Sequence, residues 1–123
     1  MPGPSTTETG REGEEIAVRF LEQKNWTVID RNYRFMKAEV DIVAYDGKQI
    51  IVVEVKTRRG TGFGEPEDSV TDQKKKQLYK ATQAWLYERK MEGAPVRFDV
   101  IAVILKKNAD PVVRHHEGAF WYL

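Results

Sequence analysis

The chain has 123 residues, 41 % of them hydrophobic, and a formal net charge of +1. That size and apolar fraction suit one compact domain and exclude a disordered composition. The absence of cysteine excludes disulfides, thiolate catalysis and cysteine-ligated metal centres, and the near-neutral charge leaves any attraction to phosphate to local clusters.

Residues 1–9 are rich in Pro, Gly, Ser and Thr and read as a flexible N-terminal tail, with no secretory pattern. Residues 10–123 read as a single domain. From Gly10 to Asn25, Ile16, Ala17, Val18, Phe20 and Leu21 recur at helical spacing. Trp26 to Arg34 alternates like a strand, and Glu39 to Tyr45 is a second one. Asp46-Gly47 is a strong signal for a two-residue hairpin turn. Gln49 to Lys56 is a third strand. Its core "IIVVEV" is apolar on both faces, which places it centrally in a sheet covered on both sides.

"GTGFGEPED" reads as a Gly-rich loop, placed to order over a substrate or merely to connect two elements. Val70 to Met91 is a long helix ended by Gly93 and Pro95. Val96 to Leu105 is a fourth strand, and Val112 to His115 a short fifth. This order predicts an α/β sandwich with a mixed sheet of four to five strands flanked by helices. The long helix serves as a crossover that makes strands three and four parallel. No apolar run reaches membrane-spanning length, so no membrane partner is expected. A cytoplasmic location fits the lack of cysteine and of a signal.

Asp41, Glu54 and Lys56 lie inside the apolar strands. Buried ionised groups are costly unless paired or bound to a cation. With a two-residue turn, Tyr45 pairs with Lys48 and Asp41 lies opposite Val52, so Glu54 is its diagonal neighbour on the same face. Lys56 continues that face. Glu14 falls within the apolar arc of the first helix, whereas Glu12, Glu15 and Arg19 fall outside it. Asp41, Glu54 and Glu14 thus form a candidate oxygen-ligand set, suited to Mg²⁺ or Mn²⁺. With a nearby lysine it suits phosphodiester hydrolysis. Taken singly, each charge has a plain alternative: a structural acceptor for Asp41, a rim ion pair for Glu54 and Lys56, a helix-dipole contact for Glu14.

Asp41, with Glu54, Val55 and Lys56 following thirteen positions later, resembles the D…(E/D)xK signature of the PD-(D/E)xK nuclease superfamily. The blocks "GREGEEIA", "RNYR", "AEVDIVAYD", "VVEVKTR", "SVTDQKKKQL" and "RFDVIAV", with the final "AF", resemble in order the YraN-like family of small bacterial proteins, viewed as predicted nucleases. The resemblance implies a restriction-endonuclease-like core with a divalent-metal site. Asp41 and Glu54 would bind the metal, the Val55 carbonyl would add a ligand, and Lys56 would serve the nucleophilic water. Glu14 matches a helix glutamate that completes the site in similar archaeal junction resolvases. Ala38-Glu39-Val40-Asp41 departs from the family's Gly-Glu-Ile-Asp but keeps both carboxylates.

The implied activity is an endonuclease acting on DNA, including branched or repair intermediates. The alternatives are a non-catalytic nucleic-acid-binding module and a protein-interaction subunit. Arg58, Arg59, Gln73 and Lys74 are candidate nucleic-acid contacts beside the site, the lysine also matching the family pattern. Glu39 is either an outer ligand or an exposed strand start. Asp99 reads as structural, and His115 and His116 as surface residues without a partner cluster. Trp26, Trp85 and Trp121 read as core. The apolar C-terminus offers a surface for the sheet or for a homodimer.

Overall fold

A computed structural model describes residues 6–60 and 70–120. The elements run α1 (Thr6–Gln23), β1 (Thr27–Phe35), β2 (Ala38–Tyr45), β3 (Ile50–Arg59), α2 (Asp72–Glu88), β4 (Val96–Lys106) and β5 (Ala109–Phe120). The strands form one five-stranded sheet in the order β1-β2-β3-β4-β5. Only β3 and β4 are parallel, as the crossover through α2 requires. This α/β sandwich, a mixed sheet between two helices, has the architecture of a restriction-endonuclease-like core. No helix among the described residues is long and apolar enough to cross a membrane.

β3 lies at the centre of the sheet, and its residues Ile50 to Val55 are all buried. Alternate residues feed two cores. Ile51, Val53, Ile42, Ile101 and Val103 pack beneath α1 with Ala17 and Leu21. Val52, Val43, Phe98 and Val100 pack beneath α2 with Leu78 and Trp85. Each fully buried large apolar side chain contributes roughly 1.5–3 kcal/mol relative to exposure. These layers fix the sheet on which any site must stand.

The element ends differ from the sequence expectation for local reasons. α1 begins at Thr6, so the expected boundary at residue 10 falls within the helix. It ends where Asn25 turns left-handed and the Trp26 N–H donates to the Leu21 carbonyl at 3.1 Å. α2 starts later than Val70, because Thr71 caps it by accepting the Lys74 N–H at 3.1 Å. It stops before Met91 because Lys90 adopts a left-handed backbone. β5 is much longer than Val112 to His115, pairing with β4 from Ala109 to Phe120. The Gly-rich loop lies outside the described residues over positions 61–69.

The β2–β3 turn also corrects the expected register. Asp46 Oδ1 accepts the N–H groups of Lys48 and Gln49 at 2.8 and 2.9 Å, so residues 46–49 all belong to the loop. Tyr45 therefore pairs with Ile50, not Lys48. The shift is two residues, an even number, so the change of register by itself moves no side chain to the other face. Continued one step, the register brings Asp41 directly opposite Glu54 instead of diagonal to it.

Candidate metal centre

The site forms where β2 and β3 part. Their ladder ends at the Ile42–Val53 pair, whereas β3 stays paired to β4 as far as Arg59. Asp41 occupies the gap. Its Oδ2 accepts the Val55 N–H at 2.8 Å, the donor that the missing ladder step would have used. The N–H and C=O of one strand residue project from the same edge. The Val55 carbonyl therefore also points into this gap.

Side-chain alternation breaks at the same place. Ile42 and Ala44 face α1 and Val43 faces α2, yet Val40 and Ala38 also face α2. The break falls on Asp41. Opposite it on β1, between the Arg31–Ile42 and Tyr33–Val40 pairs, Asn32 has a left-handed backbone. Paired irregularities of this kind re-aim side chains and concentrate at functional sites. Here they turn Asp41 and Glu39 toward α1.

α1 supplies the third acid. Gly13 is buried against β3 so closely that a methyl group there would overlap Thr57. This contact holds the first turns of α1 on the sheet and sets half-buried Glu14 over the gap. One carboxylate oxygen each from Glu14, Glu39 and Asp41 lies within 4.8 Å of the other two. Oxygens sharing one ion at about 2.1–2.6 Å sit at most about 4–5 Å apart, so the set can hold a divalent cation. Arg34 holds Glu39 from outside, at 2.9 Å. A polar cleft of about 420 Å³ opens beside the acids, lined by Arg11, Glu14, Asn32, Arg34 and Glu39 among others.

Glu54 adjoins from the α2 side and is only 3 % exposed. Its Oε1 lies 3.7 Å from Lys56 Nζ and 3.5 Å from Lys74 Nζ. Its Oε2 is buried without a hydrogen-bond partner, which is costly in an apolar surround and marks a position for a cation.

The electrostatics agree with the geometry. Burial pushes the Asp41 carboxyl up to about 8, and the charge of Glu54 adds to this. Burial also raises Glu54, against the pull of Lys74 and Lys56. Glu14 is raised by burial and by Glu39, with Asn32 and Arg31 opposing. Acids that are hard to ionise together are those that a shared cation would relieve.

A model of the family described as "Uncharacterised protein family UPF0102" matches residues 13–103. The chain belongs to this family. The UPF0102 protein of Geotalea daltonii is 44 % identical over 111 residues, covering 90 % of this chain and 87 % of that one. The UPF0102 protein of Acidothermus cellulolyticus is 44 % identical, covering 90 % and 92 %. That of Christiangramia forsetii is 43 % identical, covering 94 % and 95 %. UPF0102 is the YraN-like group whose motifs the chain carries, and the matched span includes Gly13, Glu14, Asp41, Glu54, Lys56 and Lys74.

The residues singled out from sequence are distributed as follows. Asp41 and Glu14 meet, and Glu54 and Lys56 stand beside them. Glu39, weighed as an outer ligand or an exposed strand start, takes a place in the acid cluster itself. Lys74 reaches Glu54 from the first turn of α2, and Gln73 next to it is exposed. Arg58 is half-buried and continues the row of Glu54 and Lys56. Arg59 faces the other way and is engaged by α1, through Glu12 at 2.6 Å and Thr9 at 3.0 Å. Arg11, Asn32 and Arg34 were not singled out. Their signal lay in "RNYR" and in the helix start, but neither shows which strand lies next to Asp41.

His115 is a correction. It is not a surface residue without partners: its Nε2 lies 2.7 Å from Asp99 Oδ2 and its Nδ1 lies 2.8 Å from Lys24 Nζ. Asp99 is fully buried and also accepts from Arg97 and the Gly118 N–H, which makes it structural as expected. Trp85 is buried, with its Nε1–H donating to Asp30 at 3.0 Å. Trp121 lies outside the described residues.

Proposed function

We propose that the protein is a Mg²⁺- or Mn²⁺-dependent endonuclease that hydrolyses phosphodiester bonds, with DNA as its substrate. The observation that carries this reading is the convergence of Glu14 from α1 with Glu39 and Asp41 from β2 on one gap, with Glu54 and Lys56 of β3 and Lys74 of α2 at its edge. Asp41, Glu14, Glu39, the uncompensated Glu54 Oε2 and the Val55 carbonyl are the groups that would hold the cation. When bound, such an ion polarises a phosphoryl oxygen and acidifies water.

The chain's own residues supply the rest. Glu54 fixes the Lys56 ammonium, which donates to the attacking water or to the phosphoryl oxygen that gains charge. Lys74 brings a second positive charge from α2. Arg11 and Arg34 line the cleft on the α1 side, where the sugar–phosphate backbone can lie along them. Water adds to phosphorus and the displaced alkoxide takes up a proton, leaving two chain ends.

The test is incubation of end-labelled single-stranded, duplex and branched DNA with the protein and Mg²⁺ or Mn²⁺. The expected result is cation-dependent cleavage that drops by at least about a hundredfold in Asp41→Ala and Glu54→Ala, the scale of losing a preorganised electrostatic contact. Cleavage unchanged in both variants would falsify the assignment. Salt-sensitive binding without turnover would instead make the protein a non-catalytic binding module.

A further inference from the structure

We infer that the β1–β2 hairpin tip is a wedge that enters the base stack of the nucleic acid, with Met36 as the inserted side chain. This inference deepens the nuclease reading and rests on it.

Met36 and Lys37 form the turn between the paired residues Phe35 and Ala38. Met36 is 86 % exposed, the highest value among the large hydrophobic residues described. A lone exposed methionine is common on protein surfaces, but this one breaks a second rule as well. Its backbone is left-handed, with φ 55°. Elsewhere among the described residues the chain uses Gly or Asn at left-handed positions, Lys90 excepted. A long apolar side chain is thus held outward where a small polar residue would fit the turn better. Local rules broken together in this way point to function.

The surroundings select the occupant. Behind Met36, between the tip and α2, lies a hollow of about 180 Å³ lined by Phe35, Met36, Lys37, Ala38, Gln77 and Lys80. Its walls are apolar, its charges are two lysines, and no carboxylate lines it. An apolar floor with a cationic rim complements stacked bases flanked by phosphates. Arg34, one residue before the tip strand ends, is also exposed and already touches Glu39 of the acid cluster.

The spacing fits a role beside the reacting bond. The Arg34–Glu39 pair lies two residue steps back along the hairpin from Met36, about 7 Å at the usual rise, which is about two base-pair steps. A methionine entering at that distance would unstack one step and bend the strand into the cleft. Met, Leu, Ile and Phe act in this way in proteins that kink duplexes. The substrate class is therefore a duplex that is deformed on binding, with pre-weakened steps preferred.

The experiment uses the full chain and duplexes carrying 2-aminopurine, whose fluorescence rises on unstacking, at successive positions. In Ca²⁺, wild-type protein should raise the signal at least about twofold, with the maximum about two steps from the bond cut in Mn²⁺. Met36→Ala and Met36→Asn should lose the rise while still binding. Met36→Asn should also raise the melting temperature by a few degrees, because Asn suits the turn. Cleavage of a fully paired duplex should fall about tenfold in Met36→Ala, and a mismatch at the unstacked step should restore most of it. A purely structural role for Met36 would give no such rescue. Cleavage by wild type without unstacking, or equal unstacking by Met36→Ala, overturns the wedge and leaves the nuclease reading standing. Unstacking without cleavage supports the wedge and overturns the nuclease. A wild-type protein that neither binds nor cuts DNA overturns both.

Discussion

At the scale of the residue, Asp41 bears the largest conflict, because burial and Glu54 raise its carboxyl to about 8. A carboxyl raised on folding stabilises the fold most below its unfolded value and loses that contribution as pH rises through the folded value. For Asp41 the window runs from about 4 to about 8, and Glu14 and Glu54 add in the same direction. Cation-free protein should therefore lose stability from pH 5 to pH 8.5, by up to about 1.4 kcal/mol per pH unit for each group titrating. Asp41→Asn, which keeps an acceptor for the Val55 N–H, should flatten this slope and exceed wild type in melting temperature at pH 8.5. Saturating Mn²⁺ should remove the slope from wild type only. Parallel slopes in the two proteins would show that Asp41 does not titrate in this window.

Asp41 and Glu54 were legible in sequence because ionisable residues inside apolar strands need a reason. Glu39 was not resolved, since its role depends on the break in alternation at Asp41 and on left-handed Asn32; asparagine tolerates that backbone but does not reveal which residue lies across from it. The partners of His115 are hidden from the sequence for a related reason. Its partner Asp99 sits sixteen residues away, and only the pairing of β4 with β5 joins them.

At the scale of the element, the decisive contact is that of α1 with β3 through Gly13. A side chain at this position would overlap the Thr57 hydroxyl and lie within 2.7 Å of its Cβ and Cγ2. Gly13→Ala should therefore push the helix off the sheet, although alanine favours helices in isolation. Overpacking of this kind costs about 1–3 kcal/mol. Because Glu14 moves with the helix, Mn²⁺ affinity measured by calorimetry should fall as well. Adding Thr57→Gly should recover part of the affinity. Affinity unaltered in Gly13→Ala would mean that Glu14 is not held by this contact. Helix and strand identities followed from periodicity, and the central place of β3 from its unbroken apolar run. The hairpin register did not, because the Asp-Gly signal stands for two geometries. The Asp46 side chain chooses the longer loop by accepting two backbone N–H groups. The even error kept the faces of the residues from Ile42 to Val53, but the break at Asp41 overturns the expected shared face: Asp41 and Glu39 turn toward α1, whereas Glu54 stays on the α2 side.

At the scale of the whole molecule, two buried charged networks have opposite characters. Burial raises Glu14, Asp41 and Glu54, and Glu54 Oε2 has no hydrogen-bond partner. Asp99 is fully partnered. Burial alone would raise its carboxyl, but the hydrogen bonds from His115, Arg97 and the Gly118 N–H bring it below the usual range. Arg97 grips both of its oxygens, at 2.8 and 2.9 Å, and also lies over Trp26 beside α1. This network ties β4, β5 and the end of α1 together and shares no hydrogen-bond or ion-pair partner with the acid gap among the described residues. Removing one member of a buried paired set leaves the others uncompensated and costs about 3–5 kcal/mol. Asp99→Ala should therefore shift urea unfolding strongly while Mn²⁺ affinity below the transition stays within about twofold, since sites without shared partners act additively. Asp41→Ala should do the reverse, abolishing Mn²⁺ binding with a much smaller loss of stability. If Asp99→Ala instead weakened Mn²⁺ binding as much as Asp41→Ala does, the two networks would be one, and the acid gap would depend on the β4–β5 side of the sheet.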